Sequence, residues 1–250
     1  MSGKRRFTKP VTAEDLIGQL EQDPTYVQML REKEEQCARN RAEFEEQEKP
    51  VLEDLRRVGI FVPSVGKSEY FESYVPFSAE AVEVFVRWVP NAPARVQECL
   101  VRLLGAVTVP FDGRVLTALF DQTESNHLRW VIANTLELAK PLMVADWLKN
   151  RLMNSEPINA IRPLFKALTL ISDRASVLEV ARRRLDVIPD AASQVLAKYG
   201  NAEDIPLLQR MVSREEHAVQ RKLKSAIAKI QKREGGLVPP FREVPPMNGT

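Results

Sequence analysis

Histidine, cysteine and long apolar runs are scarce in this chain of 250 residues. Two histidines and two cysteines leave little material for a metal centre or a thiol nucleophile. Neither His127 nor His217 has a second ligand one helical turn away, and Cys37 and Cys99 occupy apolar-periodic helical positions typical of buried, reduced thiols. We therefore expect no metal, no cofactor and no catalytic residue, and we predict a protein that is not an enzyme.

The absence of long apolar runs also limits where the protein works. No run approaches the roughly 18 residues that span a bilayer, and the basic start MSGKRRFTKP lacks the apolar core of a secretory signal. We expect a cytoplasmic protein without a membrane partner, and a monomer as the default state. With 36 basic against 34 acidic residues, the net charge of +2 indicates no bulk attraction to nucleic acid.

Glycine is sparse, and one short glycine motif imitates a nucleotide site. Val65 to Ser68 read VGKS, the end of a phosphate-binding loop. That loop needs a glycine five residues before its second glycine, and Phe61 stands there instead. We predict no nucleotide site.

Composition divides the chain into segments. We predict a disordered basic N-terminus over 1–11 and a helical segment over 12–58, which includes a long charged helix that opens at Asp23-Pro24. An aromatic-rich connector follows over 59–77, then continuous helical patterning over 78–234, and a flexible tail rich in proline and glycine over 235–250. The fold class expected from these patterns is all-α.

An internal repeat organises the helical region. Val96, Leu100 and Leu104 lie four residues apart, which places them on one face of a helix. The same spacing returns in four further triplets: Leu128, Ile132 and Leu136; Ala160, Leu164 and Leu168; Ala191, Val195 and Tyr199; Val219, Leu223 and Ile227. Successive triplets begin 32, 32, 31 and 28 residues apart, and an amphipathic segment precedes each one. We predict five helical hairpins.

Two stretches connect this repeat to a known family. LVRLLG, from Leu100 to Gly105, and VLAKYGNAEDIPLLQRM, from Val195 to Met211, resemble the helix-turn-helix units of short HEAT-like repeats of the armadillo and phycobilisome-lyase type. The whole chain resembles small bacterial HEAT-repeat proteins that begin with a short helix, Asp-Pro and a long charged helix. The resemblance implies an α-solenoid, capped at its N-terminus by the long helix, that binds another protein. Some relatives act as immunity-type partners of toxins. Gly200 is expected to end its helix in a left-handed conformation.

The register predicts which residues face a partner. In the second helix of each hairpin, the residues two and six positions after the first core residue point away from the core. These pairs are Glu98 and Arg102, Trp130 and Asn134, Arg162 and Lys166, Ser193 and Ala197, and Arg221 and Ser225. Seven of these residues form the predicted partner-binding set: Trp130, Arg102, Arg162, Lys166, Arg221, Asn134 and Glu98. Trp130 is either an exposed binding residue or a ring packed between adjacent repeats.

A second hypothesis belongs to another class of protein. Arg182, Arg183 and Arg184, together with a basic last helix, are typical of a solvated face; the functional alternative is that this basic end docks an acidic protein or a phosphate backbone. Asp146 beside Trp147 resembles the acid and stacking ring of a HEAT-like DNA-repair glycosylase. We regard a protein partner as the first hypothesis and a nucleic-acid partner as the alternative.

Overall fold

The computed structural model describes residues 12, 13, 17, 20, 22–154 and 160–235, and those residues form helices and loops without a β-strand. The all-α prediction is confirmed for this part of the chain. Segment 1–11 and all but the first residue of the predicted tail lie outside the described residues, as does part of 12–58. None of the described helices combines the length and the apolar character needed to cross a membrane.

The chain divides into two compact units, Met1–Pro50 and Val51–Thr250, and the boundary falls inside helix α1 (Pro24–Arg57). The charged part of α1 belongs to the first unit, where Cys37 is exposed. The prediction of a buried thiol there is wrong, because most residues around Cys37 are charged or polar. In the second unit, the end of α1 buries Val51 and Leu55 completely.

The predicted aromatic connector packs against the helix that follows it. It contains a 3-10 helix, Ser68–Tyr74, and then reaches helix α2 (Ala79–Trp88). Phe71 and Phe77 are buried with Phe85 of α2, and their rings meet edge to face with centroids 5.1 to 6.3 Å apart. This geometry is favoured by the ring quadrupoles, so the connector contributes to the core.

The remaining helices form five consecutive pairs. Helix α2 pairs with α3, and the later helices follow in the order α3 (Ala94–Leu104), α4 (Arg114–Gln122), α5 (Asn126–Ala139), α6 (Ala145–Asn154), α7 (Ile161–Ile171), α8 (Arg174–Arg183), α9 (Pro189–Tyr199), α10 (Ile205–Val212) and α11 (His217–Arg233). The two helices of each pair pack together. We call the second helix of each pair a B helix; the B helices are α3, α5, α7, α9 and α11.

Local sequence explains where several of these helices begin. Ser78, Ser125 and Asp173 each accept a hydrogen bond from a free backbone N–H of the first turn, at 3.3, 3.2 and 2.9 Å. Pro163 lies in the first turn of α7, where the backbone N–H of any residue would lack an intrahelical partner. Pro163 therefore costs α7 no intrahelical hydrogen bond and does not interrupt the helix.

Neighbouring pairs are joined mainly through their B helices. Helix α3 packs on α5, α5 on α7, and α9 on α11. Between α3 and α5, the buried hydroxyl of Thr135 donates a 2.9 Å hydrogen bond to the carbonyl of Val101. Direct packing between α7 and α9 is sparse, and that junction is carried instead by α8, which packs on α6 and α7.

The predicted core register is correct in the first three B helices and shifted in the fourth. The triplets that begin at Val96, Leu128 and Ala160 are buried. In α9, by contrast, Ala192 and Leu196 are 0% exposed, whereas Ala191 and Tyr199 are partly exposed. The first core residues thus lie at a constant spacing of 32 residues, from Val96 to Ala192. Ser193, predicted on the surface, is buried.

Gly200 ends α9 without the predicted left-handed conformation. Its φ of −68° and ψ of 175° are extended, so that prediction is wrong. A glycine is favoured there by close approach: a Cβ would lie 2.6 Å from both the Asp204 carboxylate and the carbonyl of Leu196. The small residue therefore allows α9 to meet the following turn.

Candidate functional site

A groove of about 660 Å³ crosses three B helices where α7 and α9 separate. Four of the seven predicted residues line it: Trp130 and Asn134 from α5, and Arg162 and Lys166 from α7. The side chains of Leu170, Gln194 and Lys198 complete the walls on α7 and α9. These residues come together because they occupy equivalent positions on successive B helices: Trp130, Arg162 and Gln194 follow one another at intervals of 32 residues.

Trp130 is exposed rather than enclosed between repeats. Its relative exposure is 42%, and Leu170, farther along the groove, is 53% exposed. One neighbour of the indole is His127, whose ring lies nearly parallel to it at a centroid distance of 6.4 Å. A large, partly exposed aromatic beside an exposed leucine is typical of surfaces that bind other proteins.

Glu98 and Arg102 of α3 do not line this groove; their link to it is His127, which lies beside Trp130. Arg102 donates two hydrogen bonds to Glu98 Oε1, at 2.8 and 3.0 Å. The Nε2 atom of His127 lies 3.1 Å from the same oxygen. Burial acts to raise the pKa of Glu98, but the hydrogen bonds from Arg102 and His127 outweigh it and hold that pKa below its usual value. These residues fix His127 beside Trp130.

The two cations of α7 are paired with carboxylates on the neighbouring B helices. Arg162 Nη1 lies 2.6 Å from both carboxylate oxygens of Asp190 in α9, and Lys166 Nζ lies 3.3 Å from Glu137 in α5. Lys222 of α11 also approaches Asp190, at 3.7 Å. These contacts connect α5, α7, α9 and α11 across the exposed side of the B helices.

Asp190 is the centre of that ion-pair network. Burial raises the pKa of its carboxyl, but the hydrogen bond and charge of Arg162, the backbone N–H of Ala191 and the charge of Lys222 together hold the pKa below the usual range. The carboxylate is therefore ionised throughout the physiological range, and the network persists at neutral pH.

Arg221 lies in a second groove, of about 850 Å³, between α9 and α11. Gln194 and Lys198 line both grooves, so the two adjoin along α9. Four residues of the grooves are not among the predicted site residues: Gln194, Lys198, Asp190 and Leu170. A constant period of 32 residues, carried past Arg162 and Lys166, identifies Gln194 and Lys198 directly.

Part of the basic cluster near the C-terminus is used inside the fold. Arg182 donates two hydrogen bonds to the buried carboxylate of Asp204, at 2.7 and 3.1 Å. Arg184 donates to the carbonyl of Leu152, and Arg233 donates to the carbonyls of Ala197 and Lys198 at 2.9 and 3.2 Å. The hydrogen bonds hold these guanidinium groups against helix ends and turns. Fewer of their N–H donors are therefore available to a nucleic-acid backbone.

The residues of the glycosylase alternative also have structural contacts. Trp147 packs edge to face on Phe120 with ring centroids 5.2 Å apart, and its Nε1 donates a 2.8 Å hydrogen bond to Asp121. Asp146 is exposed on the same helix, α6. The indole is thus committed to the packing of α6 against α4.

Within the described ranges, no group of three His, Cys, Asp or Glu side chains is arranged to hold a metal ion. Comparisons of the chain with family models, with curated proteins and with solved structures give no match.

Proposed function

We propose that the chain is a non-enzymatic scaffold that recognises another protein with the exposed side of its B helices. Trp130 carries the proposal: a partly exposed indole on the wall of a groove that three equivalent helices share. Interfaces concentrate binding energy in such aromatic side chains, which bury a large area at a small cost in side-chain entropy.

The proposed architecture is a HEAT-like α-solenoid. Its support is the period of 32 residues in the first four B helices and the packing of five consecutive helical pairs. In such an array each pair covers the apolar face of the next, and the residues that face away from the core repeat in register. A partner then meets equivalent positions on several helices at once, as Trp130, Arg162 and Gln194 are placed here.

The roles of the seven predicted residues differ within this proposal. Trp130 and Asn134 offer direct contacts, while Arg162 and Lys166 present charged rims already oriented by Asp190 and Glu137. Glu98 and Arg102 position His127 beside the indole. Arg221 belongs to the adjoining groove. Cytoplasmic localisation and an immunity-type or regulatory role accompany this proposal as expectations.

The test uses a photo-crosslinking amino acid, p-benzoylphenylalanine, placed at Trp130 or at Phe61. Phe61 is a matched control, because it is also aromatic and is 69% exposed, but it lies on the connector. We expect a discrete protein adduct from lysate of the native host at position 130 and none at position 61. Mass spectrometry should identify the partner protein in the adduct. That partner, purified separately, should bind the protein without the crosslinker directly.

With the purified partner, Trp130→Ala should raise the dissociation constant by about tenfold or more, which is the loss of affinity typical of a central aromatic contact. The melting temperature should change little, because Trp130 is a surface residue. Identical adducts at both positions, or none at either, would contradict the proposal.

A further inference from the structure

The groove between α9 and α11 has basic walls and a lining of small residues. Lys198 lies on the α9 side, and Arg221, Lys222 and Lys229 lie on the α11 side. Among the described residues that line this groove, none is acidic. Four cations around one open space repel each other unless an anion is present, and together they create a positive potential in the groove.

Little of this charge is neutralised within the protein. In the described part of the chain, Arg221 and Lys229 form no ion pair, and Lys198 lies over the ring of Tyr199 at 4.7 Å from its centroid. Lys222 shares Asp190 with Arg162, and Arg162 holds that carboxylate more closely, at 2.6 against 3.7 Å. Among the described residues, Lys198, Arg221 and Lys229 therefore differ from Arg162 and Lys166, which have carboxylate partners.

The shape of the groove suits a polypeptide segment. Ala197 and Ser225 are small, and Ala218 adds no bulk at the start of α11, so side chains of a bound segment have room between the two helices. Gln194 and Lys198 continue the surface into the groove that contains Trp130. A single segment can thus contact the indole and the basic groove.

The scarcity of available aromatic rings in this groove favours a peptide over a single-stranded nucleic acid. Single-stranded nucleic acids are bound by aromatic rings on which bases stack, and the described residues that line the groove between α9 and α11 include no aromatic side chain. In the adjoining groove, the ring of Tyr199 is already covered by Arg174 and Lys198. Binding of a peptide carboxylate requires only cationic side chains, and these line the groove.

We propose that the groove between α9 and α11 binds an acidic segment of the partner protein. The inference rests on the proposed function and adds the chemistry of the partner: glutamate or aspartate side chains over Lys198, Arg221 and Lys229, with an apolar residue at Trp130. Three helix-to-helix steps separate α5 from α11. Because α7 and α9 are not closely packed, the span is at least roughly 25 to 30 Å, and about twelve residues of extended chain, roughly 40 Å, can cover it.

The test measures peptide binding to the full-length protein by fluorescence anisotropy. The probe is a fluorescein-labelled peptide of about twelve residues, with leucine near one end and five glutamates near the other, made in both chain directions. We expect binding at low salt that weakens as salt rises, because the cations are exposed. A peptide with lysine in place of glutamate should not bind.

Two double variants separate the groove from the general charge of α11. Arg221→Gln with Lys229→Gln removes two charges from the groove, and Lys224→Gln with Lys232→Gln removes two exposed charges of the same helix that do not line it. The groove variant should raise the dissociation constant about tenfold or more, and the control variant less than about twofold. All four residues are exposed, so both variants should keep the helical circular dichroism of the parent.

Three results would overturn the inference: no peptide binding at low salt, equal weakening by both double variants, or tighter binding of a labelled DNA oligonucleotide that the groove variant weakens. The last result would assign the groove to nucleic acid. Each of these leaves the crosslinking result at Trp130 intact, so failure of the acidic groove is distinguishable from failure of the proposed function.

Discussion

At the scale of single residues, the charges on the B helices divide into two kinds. Arg162 and Lys166 are held by carboxylates of neighbouring helices, so they contribute to the connection between repeats as well as to the groove wall. Arg221 and Lys229 form no ion pair among the described residues. Because Arg162→Ala leaves Asp190 without its closest partner, a binding defect in that variant would mix two effects. Trp130 is the cleaner probe of recognition.

Asp190 should make stability depend on pH in the acid range. Its pKa is lower in the folded protein than the value of about 3.9 expected in the unfolded chain. A lowered folded pKa stabilises the protein above the unfolded pKa, and this contribution is lost as the pH falls through the folded pKa. Because Arg162 is exposed, we expect Asp190→Asn to cost only about 0.5 to 1 kcal/mol at pH 7.

Urea denaturation of the parent and Asp190→Asn at pH 7, 5 and about 2 measures this dependence. The difference in unfolding free energy should persist at pH 5 and become smaller at about pH 2, below the unfolded pKa. Asp186→Asn is the matched control, since Asp186 is exposed just before α9 and makes no ion pair within the described residues. A constant difference at every pH would mean that the amide acts through packing rather than charge.

At the scale of elements, helix α9 shows what hydrophobic patterning determines and what it leaves open. Its apolar stripe is wide: Val195 is 9% exposed and Leu196 is 0% exposed, so two adjacent registers both look apolar in the sequence. The neighbours decide between them, because α9 packs on both α8 and α11.

Glutamate substitutions at adjacent positions test the register of α9. Ser193 is 1% exposed, whereas Gln194 is exposed on the groove. Ser193→Glu forces a long side chain into a position that is almost fully buried at the edge of the groove between α9 and α11, and should lower the unfolding free energy by about 1 to 3 kcal/mol. Gln194→Glu should change it by about 0.5 kcal/mol or less. Thermal or urea unfolding measures both, and the reverse order of effects would restore the register in which Ser193 faces solvent.

At the scale of the whole molecule, the sequence predicts the helical pairs better than the surface they carry. Val96, Leu128 and Ala160 follow from periodicity alone, because an apolar residue every turn needs burial wherever the helix lies. The ion pairs Arg162–Asp190 and Lys166–Glu137 join residues 28 and 29 positions apart, on helices whose relative phase periodicity does not specify. The core register of α9 differs by one residue from the predicted one, so the two predicted surface positions there, Ser193 and Ala197, were misplaced. The predicted residues Trp130, Arg162 and Lys166 do line one groove.

The sparse packing between α7 and α9 predicts that the array loses structure in parts. Stability in a repeat array depends on contacts between neighbours, and a weak junction separates cooperative units. Leu223 of α11 is 0% exposed, so Leu223→Ala should cost about 2 to 5 kcal/mol. We expect amide hydrogen exchange, read by mass spectrometry, to accelerate in α9 and α11 while α3 and α5 keep their protection.

The reciprocal control is Leu100→Ala in α3, which removes an equally buried side chain on the other side of the junction. It should accelerate exchange in α3 and α5 more than in α9 and α11. If either substitution accelerates exchange equally in all B helices, then α8, through its packing on α6 and α7, couples the two sides into one cooperative unit. The groove that contains Trp130 lies across this junction, so a partner bound there should slow exchange on both sides together.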